Sequence, residues 1–145
     1  MKMLRAMREP LKYVQGKNAC LEFEKEMGYM GKRFLFVCSN SGYKATHDMI
    51  EQSFEGKGDY YRRYEVFGGI SSNGEINRMK AIVEEDNIDV VVAIGGGSAV
   101  DTAKATAYYA GKRIVILPTV AATDAPCTGL SVIYNDDGSF DKYLF

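Results

Sequence analysis

An apolar run, Val90-Val91-Val92-Ala93-Ile94, meets three glycines, Gly95-Gly96-Gly97, and the chain restarts as an alanine-rich segment over residues 98–110. The run is of strand length and lacks polar alternation, as expected for a strand covered on both faces. The stretch after it is rich in helix formers. A buried strand that stops at a glycine turn and resumes as a helix is a βα unit, and such units build parallel sheets. The turn also presents free backbone N–H groups and the positive end of a helix dipole, an arrangement that suits a phosphate. A second reading stands beside it. Ser98 and Asp101 have capping-box spacing, so the glycines would only let a well-capped turn reverse the backbone.

The rest of the chain repeats this alternation. Phe34-Leu35-Phe36-Val37-Cys38 is another continuous apolar run. Residues 60–67 are rich in strand formers, and residues 89–94 and 113–117 supply two further strands. Helix patterns fall between them, over residues 43–55, 73–85 and 98–110. Near the start, residues 11–16 alternate apolar and polar and read as a short first strand. Asn18 is placed to cap a helix that carries Ala19, Leu21, Phe23 and Met27. At the end, residues 130–134 and 139–145 flank an Asp-Gly turn and read as a hairpin. The expected fold is α/β: a Rossmann-like parallel sheet with helices on both faces plus a C-terminal β-hairpin, one nucleotide-binding domain over residues 1–145.

With 145 residues the chain is long enough for a sizeable core. Its net charge of −1 gives no electrostatic attraction for nucleic acid or an anionic membrane. No apolar stretch approaches the ~20 residues of a membrane helix, and Lys2, Arg5, Arg8 and Glu9 interrupt any signal-peptide pattern. Cys20, Cys38 and Cys127 are odd in number and widely spaced, as suits reduced thiols. Together these features predict a cytoplasmic protein with no nucleic-acid or membrane partner. Other chemistry-bearing residues read blandly. His47, the lone histidine, falls on a helix pattern beside Lys44 and Asp48, and Tyr60-Tyr61-Arg62-Arg63-Tyr64 reads as a partly exposed strand.

Four stretches occur in order: Tyr13-Val14-Gln15-Gly16; residues 95–105 from the glycine turn; residues 118–127 ending Thr123-Asp124-Ala125-Pro126-Cys127; and Leu130-Ser131-Val132-Ile133-Tyr134. In this order they resemble the glycerol dehydrogenase branch of the metal-dependent, so-called iron-containing alcohol dehydrogenase superfamily. The resemblance covers essentially the whole chain, as that family's amino-terminal nucleotide-binding domain. It implies that Gly95, Gly96, Gly97 and Ser98 hold the pyrophosphate of NAD, with Asp101 beside the cofactor. Thr119 and Ala122 would line the adenine and ribose side, and Thr128, Leu130 and Tyr134 the nicotinamide half. Asp124 would hydrogen-bond a substrate hydroxyl; its other reading is a cap or turn residue before Pro126.

Two positions depart from the family pattern. Ser98 stands where members often have Lys, and Ser39 where they usually have Asp. An acidic residue at such a strand end holds a ribose hydroxyl and disfavours a 2′-phosphate, so with Ser39 NADP stays open beside NAD. The implied reaction is metal-assisted oxidation of a small vicinal diol, such as glycerol, to a hydroxyketone. In the family, an Asp and two His bind zinc or another divalent metal from a helical second domain, so no metal ligand is assigned within these residues. The chain alone is expected to bind nucleotide without full activity. It would expose apolar surface that favours a homo-oligomer or a complementary catalytic-domain chain. Two further readings are a stand-alone nucleotide-binding module and a dehydroquinate synthase-like lyase.

Overall fold

In a computed structural model, which describes residues 10–145, four parallel strands form one sheet. They are β1 (Arg33–Cys38), β2 (Tyr61–Val66), β3 (Val90–Gly95) and β4 (Arg113–Pro118), in the spatial order β2-β1-β3-β4. Helices α2 (Asn40–Ser53), α3 (Asn73–Glu85) and α4 (Gly97–Ala110) connect them, and a five-residue helix, α1 (Phe23–Met27), precedes β1. Strands β5 (Ser131–Tyr134) and β6 (Phe140–Leu144) form the expected antiparallel hairpin.

The continuous apolar runs are explained by burial on both faces. Leu35, Val37, Val91 and Ala93 pack with α3 and α4, through Met79, Val83, Val100 and Ala103. The alternate residues Phe34, Phe36, Val90 and Val92 pack on the opposite face with Phe23, Ile50 and Phe54. Full burial of one such side chain stabilises the fold by about 1.5–3 kcal/mol. The hairpin is seated on the α3–α4 side, where Ile133 meets Ile76 and Ala105.

The tyrosine- and arginine-rich stretch forms the β2 sheet edge. Arg62 pairs with Glu51, Arg63 with Asp86, and Arg78 of α3 with Glu65. Tyr64 stacks on Phe36 with ring centroids 4.4 Å apart. His47 rests between Tyr43 and Tyr64. These groups are occupied with one another, as a partly exposed strand requires. No described helix is long and apolar enough to cross a membrane.

Three expectations need correction. Residues 11–16 form no strand: they run as exposed, irregular chain, because the alternating apolar side chains at Leu11 and Tyr13 have no sheet to lie on. Asn18 makes no side-chain cap; it adopts a left-handed φ of 58° and leads into a 3-10 turn, Ala19–Glu22, before α1. Helix α2 begins at Asn40, three residues before its pattern, because the Ser39 hydroxyl accepts the Gly42 N–H at 3.0 Å and closes the first turn.

Candidate functional site

Strands β1 and β3 are neighbours, yet the helices after them pack on opposite faces of the sheet. A crevice opens where two such connections diverge, outside the carboxyl ends of the strands. Ser39 directly follows β1 and Gly95 ends β3, and the Ser39 N–H donates to the Ile94 carbonyl at 2.8 Å. Gly95 has φ +156°, and a methyl group there would lie 2.8 Å from Ala99 Cβ and 3.2 Å from Ser39 Oγ. Backbone closeness at this point therefore demands glycine.

The two flanking helices open differently. Helix α3 is capped by Ser72, whose hydroxyl accepts the Glu75 N–H, just as Ser39 caps α2. Helix α4 has Gly96 at its N-cap and no side-chain hydrogen bond there. The capping-box reading of Ser98 and Asp101 is thus overturned: Ser98 lies inside the first turn and is exposed, and Asp101 lies a full turn into the helix. The N–H groups of a helix's first turn have no intrahelical partner. In α4 they point into the crevice region with no side chain closing them, the polarity an anion requires.

The second segment folds over this turn. The Thr119 N–H donates to the Gly95 carbonyl at 3.0 Å. Val120 Cγ2 lies 3.9 Å from a methyl built on Gly96, and Thr123 Oγ1 lies 3.2 Å from one built on Gly97. Thr119, Ala122 and Asp124 are exposed around the turn. Asp124 occupies the N-cap position of a short 3-10 turn, Ala125–Cys127, but its carboxylate makes no capping bond. Of its alternative reading, the side-chain cap is not realised but the turn is: the Asp124 carbonyl accepts the Cys127 N–H at 2.9 Å. Its side chain is left facing solvent, one residue from the threonine that abuts Gly97.

Asp101 is buried and directed at the tail: its Oδ2 accepts the Val132 N–H at 3.2 Å, and Lys104 Nζ stands 3.2 Å from its Oδ1. Thr128 and Leu130 are half-buried, and their carbonyls accept hydrogen bonds from Lys104. Tyr134 sits at the far end of β5, where its N–H donates to the Ser71 carbonyl at 2.9 Å. The structure thus gathers Gly95, Gly96, Gly97, Thr119 and the loop bearing Asp124, and ties Asp101, Thr128 and Leu130 into a neighbouring network. Tyr134 belongs to the α3 end of the hairpin. Sequence reasoning overlooked Lys104 and Thr123. The signal for Lys104 was its charge within the alanine-rich pattern Ala99, Ala103, Ala105, Ala107.

The thiols divide by burial. Cys38 is enclosed, which pushes its thiol up to about 12; Cys20 is also raised by burial, and Cys127 is exposed. Among the described residues, no three His, Cys, Asp or Glu side chains come together as a metal centre.

A family model described as iron-containing alcohol dehydrogenase matches residues 10–145. The chain is 43% identical to a glycerol dehydrogenase of Thermotoga maritima, over 94% of this chain and 36% of that one. It is 38% identical to a glycerol dehydrogenase of Escherichia coli O6:H1, over 98% of this chain and 38% of that one. A crystal structure of a probable glycerol dehydrogenase from Sinorhizobium meliloti superposes with a TM-score of 0.84 at 35% identity, covering 97% of this chain and 38% of that one. The chain therefore spans under two fifths of the length of these relatives.

Proposed function

Because the chain belongs to the iron-containing alcohol dehydrogenase family, we propose that it is the dinucleotide-binding part of a polyol dehydrogenase that oxidises a small vicinal diol such as glycerol. The observation that carries this reading is the uncapped first turn of α4 at the β1–β3 crevice, with the Asp124 loop lying against it. The pyrophosphate would sit on the N–H groups of Gly97 and Ser98, and Gly96, which has room above it, lets the phosphate approach the backbone. In this reading Thr119 and Ala122 would line the adenosine side and Thr128 and Leu130 the nicotinamide half, while Tyr134, expected there from the resemblance, is held at the α3 end of the hairpin through its N–H to the Ser71 carbonyl. The cofactor in this reading is NAD; Ser39 is engaged in capping α2 and brings no carboxylate to repel a 2′-phosphate, so NADP stays open beside it.

A bound dinucleotide would supply the hydride acceptor: the carbinol carbon would give up hydride to it, the hydroxyl would release its proton to water, and a hydroxyketone would result. This chain's residues orient the partners. Asp124, whose carboxylate is not used for capping, accepts a hydrogen bond from a diol hydroxyl and fixes which carbon faces the nicotinamide. The described residues bring together no ligand set for a metal, whose ligands would come from outside this set. The chain would then bind nucleotide while lacking full turnover, and its exposed aromatics at Phe140, Tyr143 and Phe145 suit a complementary chain or a second copy.

The test is a fluorescence titration of the chain with NADH, alongside an assay with glycerol, NAD and zinc. Saturable NADH binding at micromolar to millimolar concentration, with little turnover, is expected. Absence of saturation up to millimolar NADH rejects the dinucleotide reading. Robust turnover rejects the statement that the part is catalytically incomplete.

A further inference from the structure

Lys104 is a largely buried cation: its side chain is 9% exposed. An ammonium carries three donors. Here they reach the carbonyls of Ala125 (2.9 Å), Thr128 (3.2 Å) and Leu130, all on the loop that follows Asp124. Asp101, one turn earlier on α4, balances the charge at 3.2 Å and takes the Val132 N–H on its other oxygen. The pair thus ties α4 to main-chain groups across residues 125–132. The loop's own hydrogen bonds are local: Ala125 N–H to Thr123 Oγ1, and Cys127 N–H to the Asp124 carbonyl. Local bonds shape a loop without fixing where it stands. Burying an ion pair is costly beside an apolar pair of the same volume, which makes it a poor device for stability alone.

We propose that Lys104 is a positioning residue: it latches residues 123–130 to α4, so that Asp124, Thr128 and Leu130 stay in register with the glycine turn on the same helix. The latch rests on the dinucleotide reading for its purpose, though its geometry does not. One helix would then carry both ends of the ligand, the phosphates at its first turn and, through Lys104, the nicotinamide and substrate side about two turns further on.

The experiment compares the wild-type chain with Lys104→Met by amide hydrogen exchange and by titration with NADH and ADP-ribose. ADP-ribose keeps the adenosine and pyrophosphate but lacks the nicotinamide. Exchange at Ala125, Cys127 and Val132 should speed up roughly tenfold to a hundredfold, the range for losing a charge-assisted hydrogen bond, while β1 and β3 amides stay within about twofold. The variant should lose the wild type's preference for NADH over ADP-ribose and keep its affinity for ADP-ribose. Unchanged exchange at the loop, equal weakening of both ligands, or a wild type with no preference between them overturns the latch. A wild-type chain that binds neither ligand overturns the dinucleotide reading and, with it, the latch's purpose. Should Lys104→Met fail to fold with Asp101 left unpaired, the double variant D101N/K104M, which removes both charges, is measured for the same pattern.

Discussion

Alanine at Gly95 and alanine at Gly96 should have opposite consequences, although the two positions are adjacent. At Gly95 the new methyl would stand 2.8 Å from Ala99 Cβ, a group fixed on the first turn of α4, and 3.2 Å from Ser39 Oγ. Ordinary contact begins near 3.4 Å, so α4 would have to retreat by about 0.6 Å from a strand it packs against closely. Overpacking of this kind costs about 1–3 kcal/mol, and an alanine held at φ +156° adds about 1–3 kcal/mol of backbone strain. A loss of roughly 2–6 kcal/mol is a large share of the ~5–15 kcal/mol typical of a folded protein. With a urea m-value of ~2 kcal/mol/M, the unfolding midpoint should fall by about 1–3 M. Gly96 has φ −90° and ψ −168°, which any residue adopts, and its added methyl would meet only Val120 Cγ2 at 3.9 Å. Gly96→Ala should therefore keep or raise stability, by up to about 1 kcal/mol from lowered chain entropy in the unfolded state. The same methyl would occupy the space a phosphate needs, so NADH affinity should fall by about tenfold or more. Urea unfolding followed by circular dichroism, with NADH titration of both variants, separates the two effects. Equal midpoints for the two variants would refute the packing argument, and wild-type NADH affinity in Gly96→Ala would refute the cradle.

Acid should unfold the chain through the β2 edge. Burial alone would raise the Glu51 and Glu65 carboxyls, but hydrogen bonds from Arg62 and Tyr64, and from Arg78 and Arg63, outweigh it and hold both below the usual range. Asp86 is lowered by the Tyr61 hydroxyl and Arg63. Their folded values lie below the unfolded ~4, so the stability they add is complete above that pH and is lost as pH falls through the folded values. Urea midpoints from pH 7 to 3 should show the decline, and Glu51→Gln should flatten it; a pH-independent midpoint would count against the network. For the thiols, a disulfide reagent at pH 8 should modify exposed Cys127 first and reach Cys38, pushed up to about 12, only on unfolding; early labelling of Cys38 by mass spectrometry would contradict its enclosure.

What the sequence disclosed follows from how each element is stabilised. Strands β1 and β3 were legible because two covered faces leave an unbroken apolar run, and α3 because Ile76, Met79, Ile82 and Val83 mark one face. The hairpin was legible through its Asp-Gly turn. Residues 11–16 misled because alternation describes a possible strand and says nothing of a partner. The start of α2 was missed because Ser41 and Gly42 are weak helix formers, and their turn depends on the Ser39 hydroxyl. In the site, the glycine turn was visible as a pattern, but whether it was capped was not: Ser98 and Asp101 have the right spacing and the wrong register. Lys104 escaped because its partners are carbonyl oxygens, which every residue possesses and no sequence pattern marks.

The open first turn of α4 means that this helix is incomplete as a protein element. Its neighbours α2 and α3 close their own ends with a serine, whereas α4 begins at Gly96 with no side-chain cap. If the proposed dinucleotide docks there, its phosphates would take the place a capping side chain fills in the other two helices, and binding would stabilise the folded chain. Melting temperature should then follow ligand concentration, by RT ln(1 + [L]/Kd) for a ligand that prefers the folded chain. A thermal melt thus doubles as a binding assay, and the chain's stability has no single value apart from the solution that holds it.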